Sequence, residues 1–223
     1  MAEPTPPSAH VLGQINALPS SNRPLIVCDV DEVILHMADH FTEFLGAKEL
    51  TFLSGGYRFT GNIAPIGSDT PISQEAVRQL VDAFFDEESH RQRMVEGADK
   101  ALEELHSDWD ILLLTNLPGA HNKPVREKLL QGFGIPYPVL TNSGPKGGAV
   151  AALAAGRPSP LIFIDDSPVN HASVNASLPS AVQIQFVADE GFRAALKPSD
   201  HIDLLTGDWS RTRDFIGGIL AAE

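Results

Sequence analysis

Pairs of carboxylates follow two of the apolar runs in this sequence. The run "LIVCDVDEVIL" carries Asp29 and Asp31, and the run "LIFIDD" ends in Asp165 and Asp166. Because neighbouring carboxylates repel each other, such a pair is most simply stabilised by a shared cation or proton. Carboxylate oxygens suit a hard cation such as Mg²⁺, and a carboxylate held in line with a phosphorus atom can act as a covalent nucleophile. The two pairs therefore indicate metal-assisted phosphoryl chemistry.

Three further residues could bind a phosphoryl group. Thr115 and Asn116 end the run "DILLLTN", and Lys146 lies in "SGPKGGAV". A hydroxyl, backbone N–H groups and an ammonium all stabilise phosphoryl oxygens. The segment around Lys146 is not a P-loop, because the pattern G-x-x-x-x-G-K-[ST] is absent. The chain has a formal net charge of −13, so a site for an anion would need the local positive charge of a metal ion and a lysine.

The elements that must position these residues are short apolar runs that alternate with helix-like segments. Apolar runs without polar alternation are typical of parallel strands that are buried on both faces. The alternation predicts an α/β fold, a Rossmann-like parallel sheet with helices on both faces. Ligands bind at the carboxyl ends of such strands, so we expect the acidic pairs, Thr115 and Lys146 to meet at one edge. The predicted strands are 25–30, 110–116, 137–142, 161–166 and 181–187, and the predicted helices are 97–106, 122–132, 146–155, 168–177 and a closing helix.

The stretch 37–96, which we call the cap, interrupts this alternation. It contains a helix-like piece, a hairpin-like piece with Gly55 and Gly56 at its turn, and a helix with an acidic end. Its phenylalanines recur at helical spacings and indicate a small core of its own. We predict three parts: a flexible N-terminal arm (1–22) with a short helical piece around 11–18, a core domain (23–36 and 97–223), and a small, mainly helical cap (37–96).

Composition and charge exclude several classes of protein. The chain is 43% hydrophobic and 20% charged, which is typical of a globular protein. It has no run long enough to span a bilayer and no secretion signal, so we expect a cytoplasmic protein. The acidic charge and the lack of a basic cluster argue against nucleic acid or a membrane as a partner. The single cysteine, Cys28, excludes a disulfide framework, and the oligomeric state cannot be read from the sequence.

Histidines and arginines of the cap region offer weaker candidates. His36 and His40 form an H-x-x-x-H pair, but no third zinc ligand is evident, so an ordinary role in the cap is the simpler interpretation. Arg58, Arg91 and Arg93 could meet a second anionic group of a substrate, although a surface charge is the simpler interpretation of each.

Taken in order, the motifs resemble those of the haloacid dehalogenase (HAD) superfamily, whose members are mostly Mg²⁺-dependent phosphatases. "CDVDEV" is similar to the first motif, "ILLLT" to the second, Lys146 to the third, and "FIDD" to the fourth. The resemblance covers about residues 25–190, and the cap lies where the family often inserts one. Each motif alone is weak, whereas all four in this order are specific.

The resemblance implies a catalytic role for Asp29, Asp31, Thr115 and Lys146, and a substrate-binding role for Asn116. Asp29 would be the nucleophile that becomes an aspartyl phosphate. Asp31 would be the general acid that protonates the leaving oxygen and then the base that activates water. Thr115, with backbone amides near Asn116, would bind the phosphoryl oxygens. Lys146 would hold the nucleophile and the phosphate together and offset their charge.

The resemblance also implies a Mg²⁺ site. An Asp29 carboxylate oxygen, the backbone carbonyl of Asp31 and the Asp166 carboxylate would bind the ion, and Asp165 would act on a water molecule of that ion. Which of the two neighbouring acids is the direct ligand stays open at this point. Asn170, four residues after Asp166, would have a supporting role only.

The function expected from these residues is Mg²⁺-dependent hydrolysis of a small phosphate monoester. Glu32 stands where many relatives have glycine, and "DVDEV" with "IDDSP" also resembles the RNA polymerase C-terminal-domain phosphatases, which act on phosphoserine. The cap favours a small molecule instead. A phosphoserine-protein phosphatase and a phosphomutase remain alternatives, and a non-catalytic phosphate-binding module is a more remote one. Asp31 argues against a dehalogenase, and the position of Lys146 before the second acidic pair argues against a receiver domain.

Overall fold

The computed structural model describes residues 3–54, 58–157, 160–197 and 199–220. Six strands form one parallel sheet, and two strands of the cap form a separate antiparallel hairpin. In chain order the elements are α1 (Ala9–Asn16), β1 (Leu25–Cys28), α2 (Ala38–Gly46), β2 (Leu50–Phe52), β3 (Ile63–Pro65), α3 (Gln74–Glu87), a 3-10 helix (Ser89–Arg91), α4 (Ala98–Leu105), β4 (Asp110–Thr115), α5 (Asn122–Gly132), β5 (Val139–Thr141), α6 (Gly147–Ala154), β6 (Leu161–Asp165), α7 (Pro168–Ser177), β7 (Val182–Phe186), α8 (Glu190–Ala194), β8 (Leu204–Thr206) and α9 (Trp209–Leu220).

The main sheet has the strand order β5-β4-β1-β6-β7-β8, and every neighbouring pair in it is parallel. Strand β1 lies between β4 and β6, so its residues are covered on both faces and all four are buried. Ile26 and Cys28 pack on the face covered by α4, α5 and α9, whereas Leu25 and Val27 pack on the face covered by α1, α6 and α7. The predicted α/β sheet with helices on both faces is confirmed.

All five predicted strands are present, with slightly shorter bounds than the apolar runs suggested. The sequence missed β8, a three-residue strand that extends the sheet beside β7, and the short helix α8 that precedes it. The closing helix begins at Trp209, whose indole N–H donates to the Val33 carbonyl oxygen at 3.0 Å. This bond fixes the C-terminal helix against the segment that follows β1.

The cap has a hydrophobic core of its own between α2, the hairpin and α3. Phe41 is fully buried and stacks on Phe59 with 4.8 Å between the ring centroids, and Phe84 meets Phe41 edge-on at 5.2 Å. Strands β2 and β3 pair as the sequence suggested, but the predicted turn glycines, Gly55 and Gly56, lie outside the described residues. The bounds given to the arm, the core domain and the cap stay predictions.

The two chain segments that connect the cap to the core run side by side. Leu35 forms an antiparallel bridge with Met94. His36 N donates to Arg93 O at 2.9 Å, and Val95 N donates to Ile34 O at 2.8 Å. The two connections thus form a short two-stranded ribbon.

The N-terminal segment is held more closely than the expected flexible arm. Helix α1 begins after Ser8, whose hydroxyl accepts from Val11 N, and Val11 is fully buried against the core. Gln14 Nε2 donates to the Thr141 carbonyl oxygen at 2.8 Å. Gly148 has no side chain, and a Cβ there would overlap the backbone at Thr5.

Within the described ranges, none of the helices combines the length and the apolarity that a bilayer crossing requires.

Candidate active site

The carboxyl ends of the three central strands bring the predicted residues together. Asp29 follows β1, Thr115 ends β4 and Asp165 ends β6, while Lys146 directly precedes α6. The Lys146 ammonium lies 2.8 Å from Asp29 Oδ1 and 2.7 Å from Asp165 Oδ2. All four residues are buried, and Lys146 and Asp165 have no exposed surface. A buried lysine therefore links the first acidic pair to the second, as the expected convergence at one edge requires.

Burial and mutual repulsion set the protonation of this cluster. Burial raises the pKa of Asp29 from 3.8 to about 7, against the opposing effect of the Lys146 charge. The pKa of Asp166 is also well above its ordinary value, because the surrounding protein displaces much of its hydrating water and the Asp29 carboxylate repels its charge. Burial disfavours the charge of Lys146, but the Asp165 and Asp29 carboxylates outweigh it and raise the pKa of the lysine. The lysine is charged at neutral pH, and it cannot balance three carboxylates alone.

Asp29, Asp165 and Asp166 fit a hard cation. One ligand oxygen from each lies within 4.8 Å of those of the other two. Asp165 is the most heavily bonded of the three, because its Oδ1 accepts from Ser167 N and Asn170 Nδ2 at 2.9 Å each and its Oδ2 accepts from Lys146. Asp166 is partly exposed and lines the cavity. Oxygen donors crowded in this way are the ligand set of Mg²⁺.

Asp31 points toward two partners that the sequence did not suggest. Arg126 Nη2 lies 3.0 Å from Asp31 Oδ1, and Gln92 Nε2 donates to the same oxygen at 2.8 Å. Arg126 and Gln92 are both buried, and Arg126 also lies over the Phe85 ring of the cap at 5.7 Å. Arg126 Nη1 and Gln92 Oε1 are buried and find no partner among the described residues. The available signal was that Asn122, Arg126 and Leu130 share the buried face of α5 at a spacing of four residues.

Glu32, which stands where the motif resemblance implies a glycine, adopts a backbone conformation that suits glycine. Its φ is +64°, in the left-handed region that glycine adopts without cost. The Glu32 carboxylate accepts from Met37 N and Ala38 N at 3.0 and 2.7 Å, where α2 begins, and from Asp189 N at 2.6 Å. These three hydrogen bonds from backbone N–H groups offset the cost of the positive φ. Glu32 joins the start of the cap to the core.

Thr115 and Asn116 lie at the same edge, with different surroundings. Thr115 is buried and lines the cavity. The exposed Asn116 donates through Nδ2 to Gly144 O at 3.0 Å and accepts from Asn142 Nδ2 at 2.9 Å. Its side chain therefore fixes the loop that leads to Lys146.

The remaining candidates separate into site and surface residues. Asn170 lies in the site, where it binds Asp165 as described above, which agrees with a supporting role. His40 contacts Glu88 at 3.4 Å, and Arg91 pairs with the same carboxylate at 3.0 Å, so both belong to the cap surface. Arg93 lies 3.9 Å from Asp39. Arg58 is exposed but lines the cavity.

The carboxylates form the floor of a cavity of about 700 Å³ between the core and the cap. Asp29, Asp31 and Thr115 lie on the core side, and Met37 and Phe85 are contributed from the side of the cap. A cavity of this size is typical of sites for metabolite-sized molecules. The strand ends, which carry the charged groups, therefore face a partly open cleft beneath the cap.

The chain shares its fold with solved structures of HAD-family proteins. An HAD family hydrolase from Deinococcus radiodurans, with bound phosphate and sodium, superposes with a TM-score of 0.61 at 11% identity over 89% of this chain and 97% of its own. The HAD-hydrolase YfnB from Bacillus subtilis, bound to magnesium, gives 0.55 at 10% identity over 88% and 99%. A subfamily IA HAD hydrolase from Geobacter sulfurreducens gives 0.52 at 16% identity over 88% and 97%. No protein-family model and no curated protein matches the sequence. The resemblance seen in the motifs is thus confirmed at the level of the fold.

Proposed function

We propose that the protein is a Mg²⁺-dependent phosphomonoester hydrolase that acts on a small phosphorylated metabolite through an aspartyl-phosphate intermediate. The observation that carries this proposal is the position of the buried Lys146 between Asp29 and Asp165, next to a cavity that Asp29, Thr115 and Asp166 line. A carboxylate nucleophile, a buried cation and a hydroxyl are the groups that phosphoryl transfer needs. The phosphate and the magnesium bound by the D. radiodurans and B. subtilis proteins support the same chemistry here.

Asp29 and Asp166, with the backbone carbonyl of Asp31, would hold the Mg²⁺ ion. Bound there, it would supply positive charge beside the transferring phosphoryl group. Asp165 is the poorer ligand, because both of its oxygens already accept hydrogen bonds. We therefore assign Asp165 to the orientation of Lys146, in place of the action on water that the resemblance implied.

The side chains divide the reaction into two steps. In the first, an Asp29 oxygen attacks phosphorus, the bond to the ester oxygen breaks, and Asp31 donates a proton to that oxygen as it leaves. In the second, water attacks the aspartyl phosphate, Asp31 accepts the proton of the water, and inorganic phosphate leaves as Asp29 is regenerated. Thr115 and Lys146 stabilise the phosphoryl oxygens throughout. The cap keeps bulk water away from the intermediate and favours a small ester over a phosphoserine on a protein surface.

The test is release of phosphate from p-nitrophenyl phosphate with and without Mg²⁺. Asp29→Asn removes the nucleophile but keeps its size, and Asp39→Asn makes the same change on the exposed face of α2. We expect Mg²⁺-dependent turnover in the native protein and in Asp39→Asn, and loss of turnover in Asp29→Asn. Turnover that persists in a folded Asp29→Asn variant would exclude the covalent mechanism. A folded native protein without turnover on any ester would favour the phosphate-binding module.

A further inference from the structure

The walls of the cavity above the carboxylates are mostly apolar. Met37, Phe59 and Val81 line it from the cap, with Phe85 of α3 beside them. Phe192 of α8 lines it from the core. An ester whose phosphoryl group sits over Asp29 would therefore place the rest of its body against hydrocarbon and aromatic rings. The following inference rests on the proposed function, because it concerns the body of the same substrate.

The Thr60 and Ser167 hydroxyls and the Arg58 guanidinium line these walls, whereas the other polar side chains above the carboxylates already have protein partners. The amides of Asn116 and Asn170 are already bonded to Gly144 O and to Asp165, and the Glu32 carboxylate is occupied by backbone N–H groups. Among the described lining residues, Arg58 is the one cationic side chain. A sugar would therefore bury some of its hydroxyls without partners, and a nucleoside polyphosphate would bring more negative charge than this acidic cavity can balance.

We propose that the site selects phosphate monoesters whose alcohol carries an apolar group of about the size of an aromatic ring. It discriminates against sugar phosphates and nucleoside polyphosphates. Such a body gains from burial against the rings and needs no hydrogen-bond partners. Each unpaired buried hydroxyl of a competing sugar lowers its affinity by roughly tenfold. The cavity of about 700 Å³ has room for a phosphorylated arylalkyl alcohol.

The experiment compares 2-phenylethyl phosphate, glucose 6-phosphate and glycerol 3-phosphate, with Mg²⁺ present. All three are esters of primary alcohols, so their leaving groups are alike and kcat/KM reports the fit of the body. We expect kcat/KM for 2-phenylethyl phosphate to exceed that for glucose 6-phosphate by about 100-fold, since two or more sugar hydroxyls would lie unpaired. Equal values, or a preference for the sugar, would overturn the inference and leave the hydrolase intact. A lack of turnover on all three and on p-nitrophenyl phosphate would instead remove the proposed function itself.

A pair of matched variants tests the wall directly. Val81→Thr keeps the shape of the side chain but places a hydroxyl in the apolar wall, whereas Val125→Thr makes the same change on α5 outside this cavity. We expect Val81→Thr to raise KM for 2-phenylethyl phosphate by roughly tenfold. The ratio of kcat/KM for 2-phenylethyl phosphate to that for glucose 6-phosphate should fall accordingly. Val125→Thr should leave the ratio unchanged. A Val81→Thr enzyme with the native preference would show that the body of the substrate does not meet this wall, and would refute the proposal.

Discussion

Replacement of Arg126 by methionine tests the unexpected contact in the site. The Arg126 side chain is 1% exposed and that of its partner Asp31 is 11% exposed, so the ion pair is almost wholly screened from solvent. Removal of one member of a buried pair leaves the other charge uncompensated and typically costs about 3–5 kcal/mol. Gln92 keeps its bond to Asp31 and offsets part of this loss. We therefore expect the free energy of unfolding to fall by about 3 kcal/mol, measured by urea denaturation.

The same change should impair proton donation more than it impairs substrate binding. Without Arg126, the Asp31 carboxyl is held by Gln92 alone and loses its fixed direction toward the leaving oxygen. General acid catalysis contributes about 10²–10⁴-fold when the leaving group needs a proton. We expect kcat/KM for 2-phenylethyl phosphate to fall by about 100-fold, and that for p-nitrophenyl phosphate to fall far less, because p-nitrophenolate leaves without protonation. The ratio kcat/KM is chosen because it excludes the later hydrolysis of the aspartyl phosphate.

Two further variants separate the effect on Asp31 from general damage. Arg126→Lys keeps a positive charge and should recover part of the activity on the alkyl ester, whereas Lys128→Met removes a charge from the exposed face of the same helix and should change neither property. If Arg126→Met lowered kcat/KM equally for both esters, or left the unfolding free energy within about 0.5 kcal/mol of the native value, the arginine would not orient the acid and the reasoning would be wrong.

Three other predictions follow from the charged cluster and from Glu32. The folded protein binds the Asp29 proton more tightly than the unfolded chain does, so metal-free protein should lose stability as the pH rises from 3.8 through about 7, by an amount on the order of 4 kcal/mol. Thermal unfolding should show this loss of stability. Mg²⁺ should raise Tm at pH 8 and should have little effect on Tm at pH 5. A Tm that does not depend on pH would contradict the burial of Asp29. Lys146→Met should abolish phosphate release and destabilise the fold by about 3–5 kcal/mol at pH 8. Urea titrations at pH 5 and pH 8 should show a smaller destabilisation at pH 5. Glu32→Gly relieves the positive φ but removes three backbone contacts, so we expect a net loss of about 1–3 kcal/mol; an equally stable or more stable glycine variant in the same titration would show that those contacts contribute little.

Much of the fold could be predicted because buried parallel strands are visible as apolar runs. Residues 25–28 in β1 and 161–164 in β6 are all apolar, and both strands lie inside the sheet. Strand β8 has three residues and α8 has five, too few for either periodicity to be distinguished from chance. The short N-terminal helix was expected, but its packing depends on Val11 and on contacts with distant residues, which no local pattern reveals.

The site was predictable to the extent that topology alone determines it. Asp29, Lys146 and Asp165 meet because parallel strands place their carboxyl ends at one edge, and that rule needs no coordinates. The partners of Asp31 lie 61 and 95 residues away, on a cap connection and on α5, and their side chains resemble ordinary polar residues in the sequence. The function of Glu32 depends on a backbone angle, and the sequence shows only that the glycine of the relatives is missing.

The ribbon between the cap and the core has a consequence for how the enzyme could open. Because Ile34–His36 and Arg93–Val95 are bonded to each other, the cap cannot slide along one connection without breaking bonds to the other. A rigid rotation about an axis through the ribbon preserves these bonds and is the least costly opening. Gln92, immediately before the second strand of the ribbon, would be displaced by that rotation, and it donates to Asp31. Closure of the cap and orientation of the Asp31 carboxylate would thus be mechanically coupled.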